Sequence, residues 1–285
     1  MVFGLDFGMT LYERNTFFKA GIGFCIVFTL LTAAASYLII PLYSSIMEEN
    51  ISRPAHIIQK ITGRFLESNY FAVHTSLVFA VLFSLIGMIL LHYFYERTST
   101  PEILYVSFFI FSFSFELIRL IVPMNLIYHY PIFYLLSAAK ILHFTRYFGI
   151  FALFTAGICA AGLEVQKTRN IVLILIVTVL LVVLGIPIDT QSWDTSFKMV
   201  NGYRALLTMM EAVVFITTSV SFIAAAKIRD SKDYIYVGIG VVLAFAGRNI
   251  LLGTDNWGGP ALGILLLSFG TWIICSKLHK IHLWL

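Results

Sequence analysis

The feature that most constrains this chain is a succession of continuous apolar runs, most of them about 20 residues long and set apart by short polar connections. A bilayer core about 30 Å thick is crossed by roughly 20 residues of α-helix. In lipid, only a helix or a closed barrel satisfies every backbone N–H and C=O. The runs do not alternate apolar with polar residues, which argues against a barrel. Eight spans are predicted, over residues 17–42, 76–95, 103–122, 131–162, 171–188, 201–226, 234–252 and 261–277.

Composition supports lipid as the solvent. Only 12% of the 285 residues are charged, about half the density of a soluble domain, and the mean hydropathy is +0.90. The expected fold is an all-α polytopic membrane helix bundle of about eight transmembrane helices, an N-terminal anchor followed by a seven-helix bundle. Residues 1–42 form the cytoplasmic N-terminus and anchor, 43–75 an extracytoplasmic segment, and 76–285 the bundle with a short tail. Thr32-Ala33-Ala34-Ala35-Ser36 resembles a signal-peptide cleavage site, but apolar residues continue to full membrane length, so an uncleaved anchor is favoured. In the 43–75 segment, Ile57, Ile58, Ile61 and Phe65 share one helical face, with Lys60, Arg64 and Glu67 beside it and Pro54 at the start. This pattern fits an amphipathic helix on the membrane surface or one packed over the bundle mouth.

Lysine and arginine positions set the orientation. With the N-terminus inside, Arg14, Lys19, Arg97, Lys167, Arg169, Lys227, Arg229, Lys232, Lys277 and Lys280 are cytoplasmic, against Arg53, Lys60, Arg64 and Lys198 outside. Both termini are then cytoplasmic, and a compact chain without long loops fits a bacterial inner membrane. The net charge of +4 is not gathered into a stripe, so nucleic acid is not an expected partner.

Seven charges fall inside the predicted spans: Glu116, Arg119, Lys140, Arg146, Arg204, Glu211 and Arg248. A charge at a helix centre costs about 2.5–3.5 kcal/mol even on lenient insertion scales, so each needs a partner or water. Glu116 and Arg119 share a face, as do Lys140, His143 and Tyr147, with Arg146 beside them, while Arg204 and Glu211 lie two turns apart. In depth, Glu116, Arg119, Arg204 and Arg248 are expected near the outer ends of their spans, Lys140 and Glu211 a few turns below, and Arg146 near the midplane. Five bases against two acids favour an anion in the outer half, a carboxylate, phosphate or lipid headgroup gripped by the arginine forks. Asp189, Asp194 and Asp255 in the outer loops, with Trp193 and Trp257, would form the rim or else neutralise the arginines from above. The same residues also fit a purely structural ion-pair network, with Glu116–Arg119 and Arg204–Glu211 as couples, or a transport path.

No other chemistry is expected. Cys25, Cys159 and Cys275 match no metal or redox spacing. Among the seven histidines only His143 is deep, so neither a metal nor a haem is expected, and Lys277 lies at the wrong end of its span to hold retinal. No catalytic motif stands out. Gly240, Ala244 and Gly247 make a small-residue helix face, Gly253, Gly258, Gly259 and Pro260 a turn, and Phe109, Phe111, Phe113 and Phe115 aromatic filling.

The 43–75 segment, the bundle from 76 to 277 and the link Tyr95-Glu96-Arg97-Thr98-Ser99-Thr100-Pro101-Glu102 together resemble the seven-helix membrane region of bacterial sensor proteins. That resemblance implies a receptor or accessory signalling subunit. With no output domain within the chain, a separate cytoplasmic signalling protein would be needed. Ligand-binding residues are then Glu116, Arg119, Lys140, His143, Arg146, Arg204, Glu211 and Arg248, with membrane lipid or an anionic small molecule as partner. A transporter or channel component, or an intramembrane lipid-modifying enzyme using Glu116 or Glu211, are the alternatives.

Overall fold

The computed structural model describes residues 11–48, 69–95, 101–162 and 168–283. The amphipathic helix expected around Ile57–Phe65 and most of the 95–102 link lie outside these residues. The elements are α1 (Leu11–Glu48), α2 (Tyr70–Tyr95), α3 (Pro101–Ser112), a 3-10 helix (Phe113–Leu120), α4 (Ile121–Tyr128), α5 (Ile132–Ala160), α6 (Thr168–Leu184), strands β1 (Ile188–Trp193) and β2 (Met199–Asn201), α7 (Arg204–Ile228), α8 (Asp233–Gly253) and α9 (Gly258–Leu283). Among the described residues, seven helical stretches are long and apolar enough to cross a membrane, and an eighth, Arg169–Leu184, is shorter. The all-helical membrane bundle read from the apolar runs is the observed architecture.

The third span, formed by α3, the 3-10 helix and α4, sits at the centre. Of its apolar core, 72% is buried inside the bundle, against 17% for the first span. Around it run α1, α2, α9, α8, α7 and α5, with α6 packed outside α5. Leu30, Leu181, Leu206 and Met209 are exposed on the outer helices, a surface that makes sense only against lipid, where an apolar exterior carries no penalty. The phenylalanines expected as filling stack along the central span. Phe109 meets Phe113 edge-on at 5.2 Å, and Phe113 meets Phe83 at 5.3 Å. Phe115 packs similarly on Phe28 of α1 at 4.9 Å.

Two sequence features break the α-ladder of the central span. Ser112 and Ser114 donate their hydroxyls to the carbonyls of Phe109 and Phe111, both at 2.7 Å. Pro123, just beyond, has no N–H to continue the ladder. The residues between wind more tightly, three to the turn. The fifth span also departs from expectation. Its helix ends at Leu184, short of 188, because Gly185 and Pro187 stop it. At 17 residues it is roughly 25 Å long, less than the bilayer core. The chain then turns back as an antiparallel hairpin, with Ile188 opposite Asn201 and Trp193 opposite Met199, where a plain loop and the start of the sixth span were expected.

The tightest seam joins α8 to α9. A Cβ on Gly247 would lie 2.3 Å from the Leu267 nitrogen, and one on Gly270 would lie 2.4 Å from the Ala244 nitrogen. The small-residue face predicted on α8 therefore meets a matching one on α9, and the backbones touch. Gly253 and Gly258 bracket the turn between them, with Pro260 in the first turn of α9. Gly247→Leu must push the backbones apart and is expected to cost about 3 kcal/mol or more. Gly253→Ala, at a position open to space, should cost less than about 0.5 kcal/mol. Thermal melting of the two variants in detergent checks this, and equal melting temperatures would count against the seam.

Candidate functional site

In a 3-10 helix, residues three apart lie directly above one another. Phe113, Glu116, Arg119 and, just beyond, Val122 are accordingly buried on one stripe of the central span. From α5, Arg146 reaches the same stripe. Its Nε donates to Glu116 Oε1 at 2.7 Å and its Nη2 to Glu116 Oε2 at 2.5 Å. Arg119 Nη1 lies 3.5 Å from the same Oε2. Glu116 is 1% exposed and Arg119 is 1% exposed. A fork-to-fork arginine–carboxylate contact is among the strongest hydrogen-bonded pairings available to side chains, and here it ties α5 to the centre of the bundle.

This geometry corrects the expected depths. Arg146 was placed near the midplane and Glu116 near an outer end, yet the two touch. The third span continues past 122 to Tyr128, so Glu116 lies deeper than a span ending at 122 implied.

The hairpin forms the roof. In its turn, Asp194 N–H donates to the Lys198 carbonyl at 2.8 Å and Phe197 N–H to the Asp194 carbonyl at 2.9 Å. Phe197 adopts φ 56°, a left-handed conformation that costs a side-chain-bearing residue about 1–2 kcal/mol. Contacts with the bundle hold it there. The Phe197 ring stacks on Tyr70 at 5.8 Å, Arg119 Nη2 donates to the Ser196 carbonyl, and Thr195 Oγ1 donates to Asp255 Oδ2 at 2.7 Å. Docking the turn brings Lys198 down among the buried charges. Burial, then the fields of Arg146 and Arg119, push the Lys198 ammonium well below the ordinary lysine range. Lys198 was read as an outer-loop residue. The signal for its role was the turn-forming Asp194-Thr195-Ser196 between the strand-like Trp193 and Met199-Val200.

Arg119, His143, Arg146 and Lys198 line a cavity of about 20 Å³, closed by Val122, Leu142 and Phe197. That is room for one water-sized occupant. Arg119 Nε is buried and makes no hydrogen bond. The His143 ring stacks on Tyr147 at 6.1 Å. Beside this centre, Glu211 of α7 pairs with Arg248 of α8 at 3.6 Å, and Arg248 also donates to Asn249 Oδ1 at 3.1 Å. Four cations (Arg119, Arg146, Lys198 and Arg248) thus gather around two carboxylates, Glu116 and Glu211. Of the rim acids, Asp194 lies near enough to act electrostatically on Arg119. Asp189 turns to Ser192 and Gln191 instead.

Two expected site residues stand elsewhere. Lys140 Nζ donates to the carbonyls of Val183, Leu184 and Ile186 at 2.8, 3.1 and 2.5 Å. The last carbonyls of the short α6 have no partner within their own helix, and the ammonium supplies both donors and the charge its C-terminal dipole favours. Arg204 is exposed at the first residue of α7, because residues 199–201 belong to β2 and not to the helix. The expected Arg204–Glu211 couple is not the one formed, since Glu211 pairs with Arg248.

The opposite end of the bundle holds a further ion pair, with a buried carboxylate, that the sequence reading missed. Glu102, 1% exposed, lies 3.8 Å from Arg229, which donates to Tyr234 Oη at 3.0 Å and to the Cys159 carbonyl at 3.2 Å. Among the described residues, no group of three or more histidine, cysteine or acidic side chains could hold a metal.

The fold and its apolar exterior define an integral membrane protein of the multi-pass helical class. Known protein families, curated proteins and solved structures yield no match to this chain.

Removing the carboxylate strands two buried guanidinium groups. Glu116→Gln is expected to destabilise by about 3–5 kcal/mol, and Glu116→Met combined with Arg146→Met should recover the part of the loss due to Arg146, leaving Arg119 without its carboxylate. Lys140→Met should cost about 1.5–3 kcal/mol. Melting temperatures in detergent report each, and a double variant no better than Glu116→Gln alone would refute the pairing.

Proposed function

We propose that this protein is a membrane receptor, or the membrane subunit of a signalling pair, that binds an anion at the hairpin end of the bundle. The observation that carries this reading is the small cavity lined by Arg119, Arg146 and Lys198 beside Glu116, with Arg119 Nε buried and unbonded. Its volume suits a monatomic anion or a single terminal oxygen of a carboxylate, phosphate or lipid headgroup. The lysine and arginine bias favours an orientation with the hairpin outside and both termini cytoplasmic, and the compact chain with short loops fits a bacterial inner membrane. The central span supports a signalling role, since it carries Glu116 among the buried charges of the hairpin half and Glu102 at its other end. A cytoplasmic partner would then read the Glu102 end. The Glu116–Arg146 fork also serves as structure with or without a ligand, so the test rests on Lys198, which the fork does not need.

Detergent-purified protein in gluconate buffer would be melted after addition of chloride, nitrate, phosphate or short carboxylates. An anion at about 100 times its dissociation constant should add roughly 2.7 kcal/mol. Lys198→Gln should abolish that gain, and Arg204→Gln should leave it intact. No shift with any anion, or an equal shift in Lys198→Gln, would overturn the proposal.

The pH dependence has a defined sign. With its pKa lowered in the folded state, Lys198 loses its proton at a pH where the unfolded chain still holds it. Anion-free stability should therefore rise with pH through that window. Anion stabilisation should fade over the same window, as one of three cations is lost, and persist in Lys198→Arg. Melting curves from neutral to alkaline pH measure both trends.

A further inference from the structure

A groove of about 630 Å³ opens between α2 and α9, on a different side of the molecule from the anion cavity. Its origin is the packing described above. α9 is held against α8 by backbone contact, while it meets α2 chiefly where Tyr95 Oη donates to the Cys275 carbonyl. The walls are Ile86, Leu90 and Phe94 of α2 and Ser268, Thr271 and Trp272 of α9, and Gly87 lies against Ile110 at the floor. From Phe79 to Tyr95 the α2 wall runs about 24 Å, longer than one leaflet's half of a roughly 30 Å core.

The groove is apolar along its length and polar at one end. There His279 meets Tyr95 edge-on at 5.3 Å, and its Nδ1 is buried without a hydrogen-bond partner. Ser276 lines the same end, and Lys280 follows one turn later. Lys277 and Lys280 share a single carboxylate, Asp233, at 3.0 and 3.3 Å, so positive charge remains. An apolar trough with cations at one end suits a hydrocarbon chain that carries an anionic headgroup.

We propose that the groove holds one acyl chain of an anionic glycerophospholipid from the surrounding bilayer, with its phosphate at Ser276, His279 and Lys280. This site stands independently of the anion cavity.

Delipidated protein in mixed micelles would be titrated with dibrominated phosphatidylglycerol or phosphatidylcholine while tryptophan fluorescence is read. The quenching that disappears in Trp272→Phe reports the groove. The expected result is saturable quenching with an about fivefold preference for phosphatidylglycerol. Lys280→Gln, at an exposed position, should reduce the preference towards parity, and Ser268→Phe should remove the saturable component. Quenching that rises in proportion to lipid, alike for both headgroups, would show ordinary solvation and overturn the proposal. So would a disulfide dimer formed through Ile86→Cys and absent from the wild type, because the groove would then belong to a second copy.

Discussion

The Glu116 carboxylate, gripped by Arg146 from the side and Arg119 from one turn along its own helix, is the contact on which the hairpin end of this bundle depends. An unpaired carboxylate at that depth would be untenable, and so would either guanidinium. The pairing fixes how α5 lies against the central span. It also sets the position of Arg119, whose remaining arm reaches the hairpin carbonyl of Ser196. Through that arm the hairpin turn is drawn down, Phe197 is held in its left-handed conformation, and Lys198 is carried in among charges of its own sign. A loop residue is drawn in, half-buried, towards the buried carboxylate and its arginines.

Lys140 solves a different problem with the same chemistry. A helix that stops early leaves its last carbonyls without partners of its own. The cheapest remedy is a donor from the neighbouring helix, and an ammonium at the negative end of the dipole is the best available. Lys140, read as part of the anion site, is thus accounted for by the early end of α6.

The bundle itself was legible because apolar runs of membrane length admit few alternatives. So was the meeting of α8 and α9, since Gly240, Ala244 and Gly247 recur on one face. The buried charges were legible as a set, and so was the Glu116–Arg119 couple, but not the pairings between helices. Sequence spacing favours partners on the same helix, hence Arg204 with Glu211. Yet Arg146 with Glu116, and Glu211 with Arg248, are contacts between helices that depend on where each span starts and stops. Those limits moved by a few residues at 128, 184 and 204, and each move changed which side chains share a depth. The hairpin was hidden for a related reason. Its alternation is short, and Ile188 to Asn201 sits between two apolar runs that absorb its ends.

The tight winding of the central span has a mechanical side. Eight residues at about 2.0 Å rise occupy roughly 4 Å more length than the same residues in an α-helix. Rewinding Phe113–Leu120 would retract one end of the span towards the other by most of a helical turn and swing Glu116 and Arg119 off their common stripe. The serine bonds and Pro123 to which the tight winding is owed thus also set the length of the central span and the height at which Glu116 and Arg119 meet Arg146.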